Sequence, residues 1–213
     1  MECDDKEYAL SRVQQDGFFL KEASSRLKDD KEVVWLAVKQ QPRSFLHASD
    51  RLKDDEDIVS YVVEKDNWMV YIASDRLKDC ERFVLLAMKG VGSNLNWASN
   101  RLKDSFEIVF SAVKQKGWDL EYASERLQDD KDIVLQAVKQ CGRSLRFASE
   151  RLRDDEEIVS LATKQNGWAL EYLSNRLRKK RKIIFQVKIF NSLLIETLNR
   201  LFLDYRLCRN HLL

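Results

Sequence analysis

Asp129-Asp130-Lys131-Asp132-Ile133-Val134-Leu135-Gln136-Ala137-Val138-Lys139-Gln140-Cys141-Gly142-Arg143-Ser144-Leu145-Arg146-Phe147-Ala148-Ser149-Glu150-Arg151-Leu152-Arg153 is one complete unit of this chain. Its closing Ser-x-Arg-Leu recurs at a constant 25-residue interval, with arginines at Arg26, Arg51, Arg76, Arg101, Arg126, Arg151 and Arg176. No insertion interrupts the series, so each unit must fill nearly the same volume and hand the chain on in the same geometry.

Inside the unit, Ile133-Val134 and Ala137-Val138 fall at i, i+1, i+4 and i+5, which is one apolar face of a helix. Asp29, Asp54, Asp79, Asp104, Asp129 and Asp154 precede that helix and are read as its caps. Glu32, Asp57, Glu107, Asp132 and Glu157 stand three residues on as capping-box partners, with Arg82 as the exception. Gly92, Gly117, Gly142 and Gly167 then mark a left-handed helix end. A second helix is expected beyond the turn, with Leu120, Ala123, Ser124 and Leu127 as its buried stripe. On that stripe the recurrent serine reads as a small residue that lets helices approach and bonds the carbonyl four residues back. Leucine-rich repeats have similar periods, but their Leu-x-x-Leu-x-Leu strand pattern is missing here.

The expected fold is therefore all-α, an α-solenoid of about eight 25-residue helix-turn-helix repeats with degenerate terminal caps. Residues 1–28 read as an N-terminal capping repeat, residues 29–178 as six regular repeats, and residues 179–213 as a divergent basic capping repeat and tail. Composition agrees: 34% charged residues, one proline and six glycines suit solvated helices, and 44% hydrophobic residues is too many for a disordered chain. No apolar stretch reaches the ~18–20 residues of a membrane span, so no membrane contact is expected. The acidic start, Met1-Glu2-Cys3-Asp4-Asp5, resembles no secretory signal and predicts a cytoplasmic chain, with the nucleus as the alternative.

Catalysis finds no support. The serines have no histidine in the repeat to act as base, and the acidic pairs are what helix N-termini favour. Cys3, Cys80, Cys141 and Cys208 occupy unrelated places in the repeat and read as reduced thiols. With only His47 and His211 beside them, no metal, cofactor or small-molecule substrate is expected.

Two surface features remain. An aromatic and arginine ladder runs along the second helices, and from it Trp68, Trp97, Trp118, Tyr122, Trp168 and Tyr172 are the candidate partner-binding residues. The ladder arginines Arg26, Arg51, Arg76, Arg101, Arg126 and Arg151 read as a structural series, each lying over an aromatic and pairing with a nearby acid, because a residue needed identically by every unit suits their shared geometry. The second feature is a basic patch of Arg176, Arg178, Lys179, Lys180, Arg181 and Lys182. Residues 176–213 carry 10 Lys/Arg and 2 Asp/Glu; subtracting these from 37 and 35 leaves 27 and 33, a net of −6, for residues 1–175. A phosphate backbone tracking along that acidic array would be repelled.

In register and residue type, Lys131 to Gln140 and Leu145 to Leu152 resemble the short helical repeat known as domain of unknown function 4116, and the likeness covers about residues 20–178. The resemblance implies a tandem helical array and no established activity. Together these readings predict a non-enzymatic scaffold presenting an extended surface to a protein partner. The alternative is nucleic-acid binding through the basic C-terminal end.

Overall fold

A computed structural model describes residues 3–90 and 95–179, and these form helices and turns without a strand among the described residues. The chain divides into two compact units, Met1–Ile108 and Val109–Leu213. One long helix opens each repeat: α1 Lys6–Gln15, α2 Lys31–Gln40, α3 Glu56–Lys65, α4 Glu81–Met88, α5 Phe106–Gln115, α6 Lys131–Gln140 and α7 Glu156–Gln165. The chain is thus an all-α solenoid of tandem repeats. Helices of eight to ten residues are shorter than the ~12–15 that are marginal alone, so burial of one face decides their stability. In α2 that face is Val33, Val34, Ala37 and Val38, and in α6 Ile133, Val134, Ala137 and Val138; all eight are fully buried.

The caps lie one residue later than the sequence suggests. Asp30, not Asp29, accepts the backbone N–H groups of Glu32 and Val33 at 3.0 and 3.2 Å, and Asp55, Asp130 and Asp155 cap their helices likewise. Glu32 is therefore not a capping-box partner. Adjacent aspartates are equally good caps by composition, and the first of each pair is engaged elsewhere.

The second arm also departs from expectation. Six residues, Gly117–Tyr122, form a 3₁₀ helix; Ala123 and Ser124 are extended, and Glu125–Gln128 form a single α-turn. With three residues per turn, Gly117, Leu120 and Ala123 all face inward, a spacing that a 3₁₀ helix shares with an α-helix at i, i+3. At i+4 the two part company. Ser124 is only half-buried, and its Oγ accepts the N–H of Leu127 at 3.3 Å, so it caps the short turn; at the equivalent Ser49 the hydroxyl donates to the Asp29 carboxylate instead of a carbonyl four residues back.

The glycines obey a different logic from helix-ending ones. Gly117 and Gly142 do not adopt the left-handed conformation, but a Cβ at either would collide with a carbonyl oxygen, that of Ala137 for Gly117 and that of Ala162 for Gly142. Both carbonyls belong to the helix of the following repeat. The Gly117 and Gly142 N–H groups donate to Gln140 and Gln165 Oε1 at 2.7 and 2.6 Å, pinning the two backbones together. Where Asn67 holds the glycine position, its side-chain amide donates to the Ala87 carbonyl at 2.5 Å instead. At Gly117 and Gly142, by contrast, bare backbone is needed because the next helix leaves no room for a side chain.

At the N-terminal end, Cys3 supplies what a preceding repeat would. Its N–H donates to the Glu22 carbonyl at 2.9 Å and its carbonyl accepts the Ser24 N–H at 2.6 Å. Of residues 179–213, only Lys179 lies within the described residues.

Gly142→Ala should lower stability by about 1–3 kcal/mol, the cost of forcing a methyl group into packed surroundings. Urea unfolding followed by circular dichroism checks this, and a midpoint equal to that of the unaltered chain would contradict the close approach.

Candidate functional site

The first aspartate of each pair joins its repeat to the next. Asp29 accepts a hydrogen bond from Ser49 Oγ, and its carboxylate receives Arg51 Nε at 2.9 and 3.0 Å. Arg51 Nη2 reaches the Asp29 backbone carbonyl at 2.5 Å. One residue earlier, the Lys28 carbonyl accepts the Ser49 N–H at 2.9 Å. One aspartate thus holds the serine that caps the following turn and the arginine two residues beyond it. The arrangement recurs at Asp4 with Arg26, Asp54 with Arg76 and Asp79 with Arg101 in the first unit, and at Asp129 with Arg151 and Asp154 with Arg176 in the second, with Nε 2.7–3.1 Å from the carboxylate. Planar guanidinium geometry permits this double reach to a carboxylate and a carbonyl; an ammonium has no such fork.

A second layer of ion pairs depends on the first residue of the long helix. Where it is lysine, the ammonium crosses to the next repeat: Lys31 to Asp55 at 2.6 Å and Asp57 at 3.7 Å, Lys131 to Asp155 at 3.1 Å and Glu157 at 2.7 Å. Where it is glutamate, a ladder arginine is drawn in, as Arg101 to Glu81 at 3.3 Å and Arg176 to Glu156 at 3.7 Å. Arg82, the sequence exception, lies 3.9 Å from Glu56, a reversal of the usual lysine-to-acid polarity. Of the acids read as capping-box partners, Glu32, Asp57 and Glu157 are therefore acceptors for a lysine of the preceding repeat.

Ladder arginines grip aspartates, while the aromatic rings take their cations from elsewhere. Lys78 Nζ is 6.0 Å from the Trp97 ring centre, and the Arg143 guanidinium is 5.8 Å from that of Trp118. Trp118 also meets Phe147 edge-on at 5.4 Å and is half-buried. Tyr122 is half-buried, and burial, with Glu121 and Asp119 adding to it, raises its phenol above the usual range. Tyr172 accepts a hydrogen bond from Arg143 Nη2 at 3.3 Å. Trp97 is 38% exposed and pairs with Tyr71 at 5.8 Å. Trp68 and Trp168, at the same repeat position as Trp118, are 70% and 67% exposed. The candidate aromatics thus split into covered and open members.

Of the basic patch, Arg176 is committed to Asp154, Arg178 and Lys179 are exposed, and Lys180, Arg181 and Lys182 lie outside the described residues. Among the described residues no group of three or more His, Cys, Asp and Glu side chains could hold a metal ion, and no helix is long and apolar enough to cross a membrane.

The sequence reading overlooked the outer faces of the long helices. Trp35 on α2 and Tyr61 on α3 lie 5.4 Å apart with their planes at 46°, and they line an open groove of about 780 Å³ with Glu32, Asp57 and Glu64. The signal was available: the corresponding residues one hundred positions on are Leu135, Leu161 and Lys164, so neither the rings nor the acid is a requirement of the repeat.

These joints and grooves define a class, the tandem helical-repeat proteins, in which identical junctions carry unlike surfaces. The family model described as Domain of unknown function (DUF4116) matches residues 5–53, 34–78, 55–103, 80–128, 105–151 and 130–178, and the chain belongs to that family. No curated protein and no solved structure matches it.

The joint carboxylates give stability a pH dependence. Hydrogen bonds from Ser74 and then Arg76 hold Asp54 below the ordinary carboxylate range, and Ser149 and Arg151 do the same for Asp129. A carboxyl depressed in the folded state stabilises fully above its unfolded pKa of about 3.9 and ceases to do so as pH falls through the lower folded value. Unfolding midpoints measured from pH 6 downward should therefore drop below about pH 4, and Asp54→Asn with Asp129→Asn should lower the midpoint at pH 6 and flatten the acid slope. An acid slope unaffected by the pair of substitutions would contradict the assignment.

Proposed function

We propose that this chain is a non-enzymatic scaffold of the cytoplasm whose repeats present an extended surface to a protein partner. The observation that carries the reading is the contrast at one repeat position: Trp118 is covered by Arg143 and Phe147, whereas Trp68 and Trp168 lie open. Large apolar side chains left in solvent by a repeat that can cover them are characteristic of interaction surfaces, where tryptophan, tyrosine and arginine dominate binding energy. Tyr71, 41% exposed, and its ring partner Trp97 extend the open region of the first unit. Free thiols at Cys3, Cys80 and Cys141 are in keeping with a reducing compartment. Support favours a protein over a nucleic acid, since residues 1–175 carry a net charge of −6 and Arg176, the first residue of the basic run, is engaged by Asp154.

Trp68→Ser and Trp168→Ser should each shift stability by no more than about 0.5 kcal/mol, as surface substitutions do. Trp118→Ser should cost about 1–3 kcal/mol through lost ring contacts and buried area. A photo-crosslinking residue at position 68 or 97 of the full chain should give discrete protein adducts in the native cell, while one at position 50, beside a joint, should not. Equal labelling at all three positions, or none, would remove the scaffold reading.

A further inference from the structure

The groove between α2 and α3 is a second surface, with a chemistry of its own. Its floor is the Trp35 and Tyr61 ring pair. Carboxylates gather toward the N-terminal end of the two helices, where Glu32, Glu56 and Asp57 line it, and Glu64 adds an exposed acid farther along α3. Of the lining cations, Lys31 is held by Asp55 at 2.6 Å, and Arg82 by Glu56 at 3.9 Å. Lys39 and Lys65 lie 5.5 and 5.6 Å from the centres of the two rings, so both π-systems already attract cations from their own helices. At the acidic end Glu32 is paired with Lys6 at 2.9 Å, Asp57 with Lys31 at 3.7 Å and Glu56 with Arg82 at 3.9 Å, so Glu64, exposed on α3, is the carboxylate the groove offers a ligand.

The other unit serves as an internal control. Its corresponding helices, α6 and α7, keep the acids Asp132, Glu156 and Glu157 but carry Leu135, Leu161 and Lys164 where the groove has Trp35, Tyr61 and Glu64. Leucine satisfies the packing at both ring positions, and lysine is tolerated at the acid position. The rings and the extra carboxylate are thus additions to a shared frame, and all three favour a cation: aromatic faces attract a guanidinium, and a carboxylate can fork-bind it.

We propose that this groove docks a cationic protein segment through an arginine, its guanidinium stacked on the Trp35 and Tyr61 rings and paired with Glu64. The proposal rests on the interaction reading above but uses a different face and names the partner's chemistry.

The test uses the full chain and three fluorescein-labelled nonapeptides in which arginine, lysine or glutamate alternates with glycine and serine, read by anisotropy. The arginine peptide should bind, more weakly at about 300 mM than at about 50 mM salt because the rim charges are screened. Trp35→Leu with Tyr61→Leu, which leaves the net charge unchanged and copies residues already used by α6 and α7, should weaken it about tenfold, on the scale of two cation–π contacts. Glu64→Lys should weaken it further, and circular dichroism should show the variants folded. Binding of the arginine peptide that is indifferent to the ring substitutions, or no better than that of the glutamate peptide, would overturn the proposal. Ring-dependent binding of the glutamate peptide alone would overturn the charge assignment while leaving the scaffold reading intact, and crosslinking failure at positions 68 and 97 would remove that reading while leaving this measurement to stand.

Discussion

Everything in this structure hangs on one aspartate per repeat that serves two donors of the next. Asp29 receives the Ser49 hydroxyl and the Arg51 guanidinium, while its own carbonyl receives a second arm of the same arginine. Ion pairs of exposed side chains contribute little individually, and these are roughly half-exposed. What raises their importance is connectivity. The serine held by Asp29 caps the turn that carries Leu52, fully buried, so polar joint and apolar core form together. The glycine contact on the other arm has the same character, for Gly142 donates to Gln165 while its missing side chain makes room for the Ala162 carbonyl. At Gly117 and Gly142 a second polar latch thus works beside the aspartate joints to fix the register of the apolar layer.

How much of this could be read from sequence depends on distance along the chain. The 25-residue frame, the long helices and the buried Val-Val, Ala-Val and Leu positions are periodic and local, and they were legible. The joint was legible in part: the arginines read as partners of a nearby acid, but which aspartate of the pair they grip, and the serine beside them, were not, because the partners lie 20 and 22 residues apart and nothing local separates the first aspartate from the second. Serine at i+4 of a Leu-x-x-Ala run suits a helical stripe as well as a cap, and only the extended Ala123 and Ser124 backbone distinguishes them. Glycine before a second arm likewise fits a left-handed end or a close approach. Both misreadings came from treating the repeat as a self-contained hairpin when its constraints arrive from the neighbouring unit.

The candidate surfaces show the complementary limit. Recurrence drew attention to the ladder arginines, and recurrence is what a shared joint produces. Open residues such as Trp68 and Trp168 repeat too, yet their exposure is set by side chains elsewhere in the array, since Trp118 in the same slot is covered by Arg143 and Phe147 of the next repeat. Trp35 and Tyr61 escaped notice because they stand alone on helices whose inner faces explain the hydrophobic pattern. In a repeat protein the informative comparison is between copies, position by position, and a departure that the packing does not demand is where a ligand's requirement can be seen.

That separation has a thermodynamic basis. Stability in an array is approximately a sum of repeat and nearest-neighbour terms, so a change at a surface position of one repeat is felt there and at its immediate neighbours. The joints between Asp, Ser and Arg, together with the glycine latch, supply the interface term and leave the outer positions of the long helices and the 3₁₀ segments unconstrained. Glu56 and Arg82 make the point in miniature: the usual lysine-to-acid polarity is reversed at one junction, yet Asp54 and Arg76 beside it keep the same geometry as every other described joint. An array built this way can acquire an acidic aromatic groove in one unit and keep leucines in the other, because the interaction that orders the repeats does not pass through either.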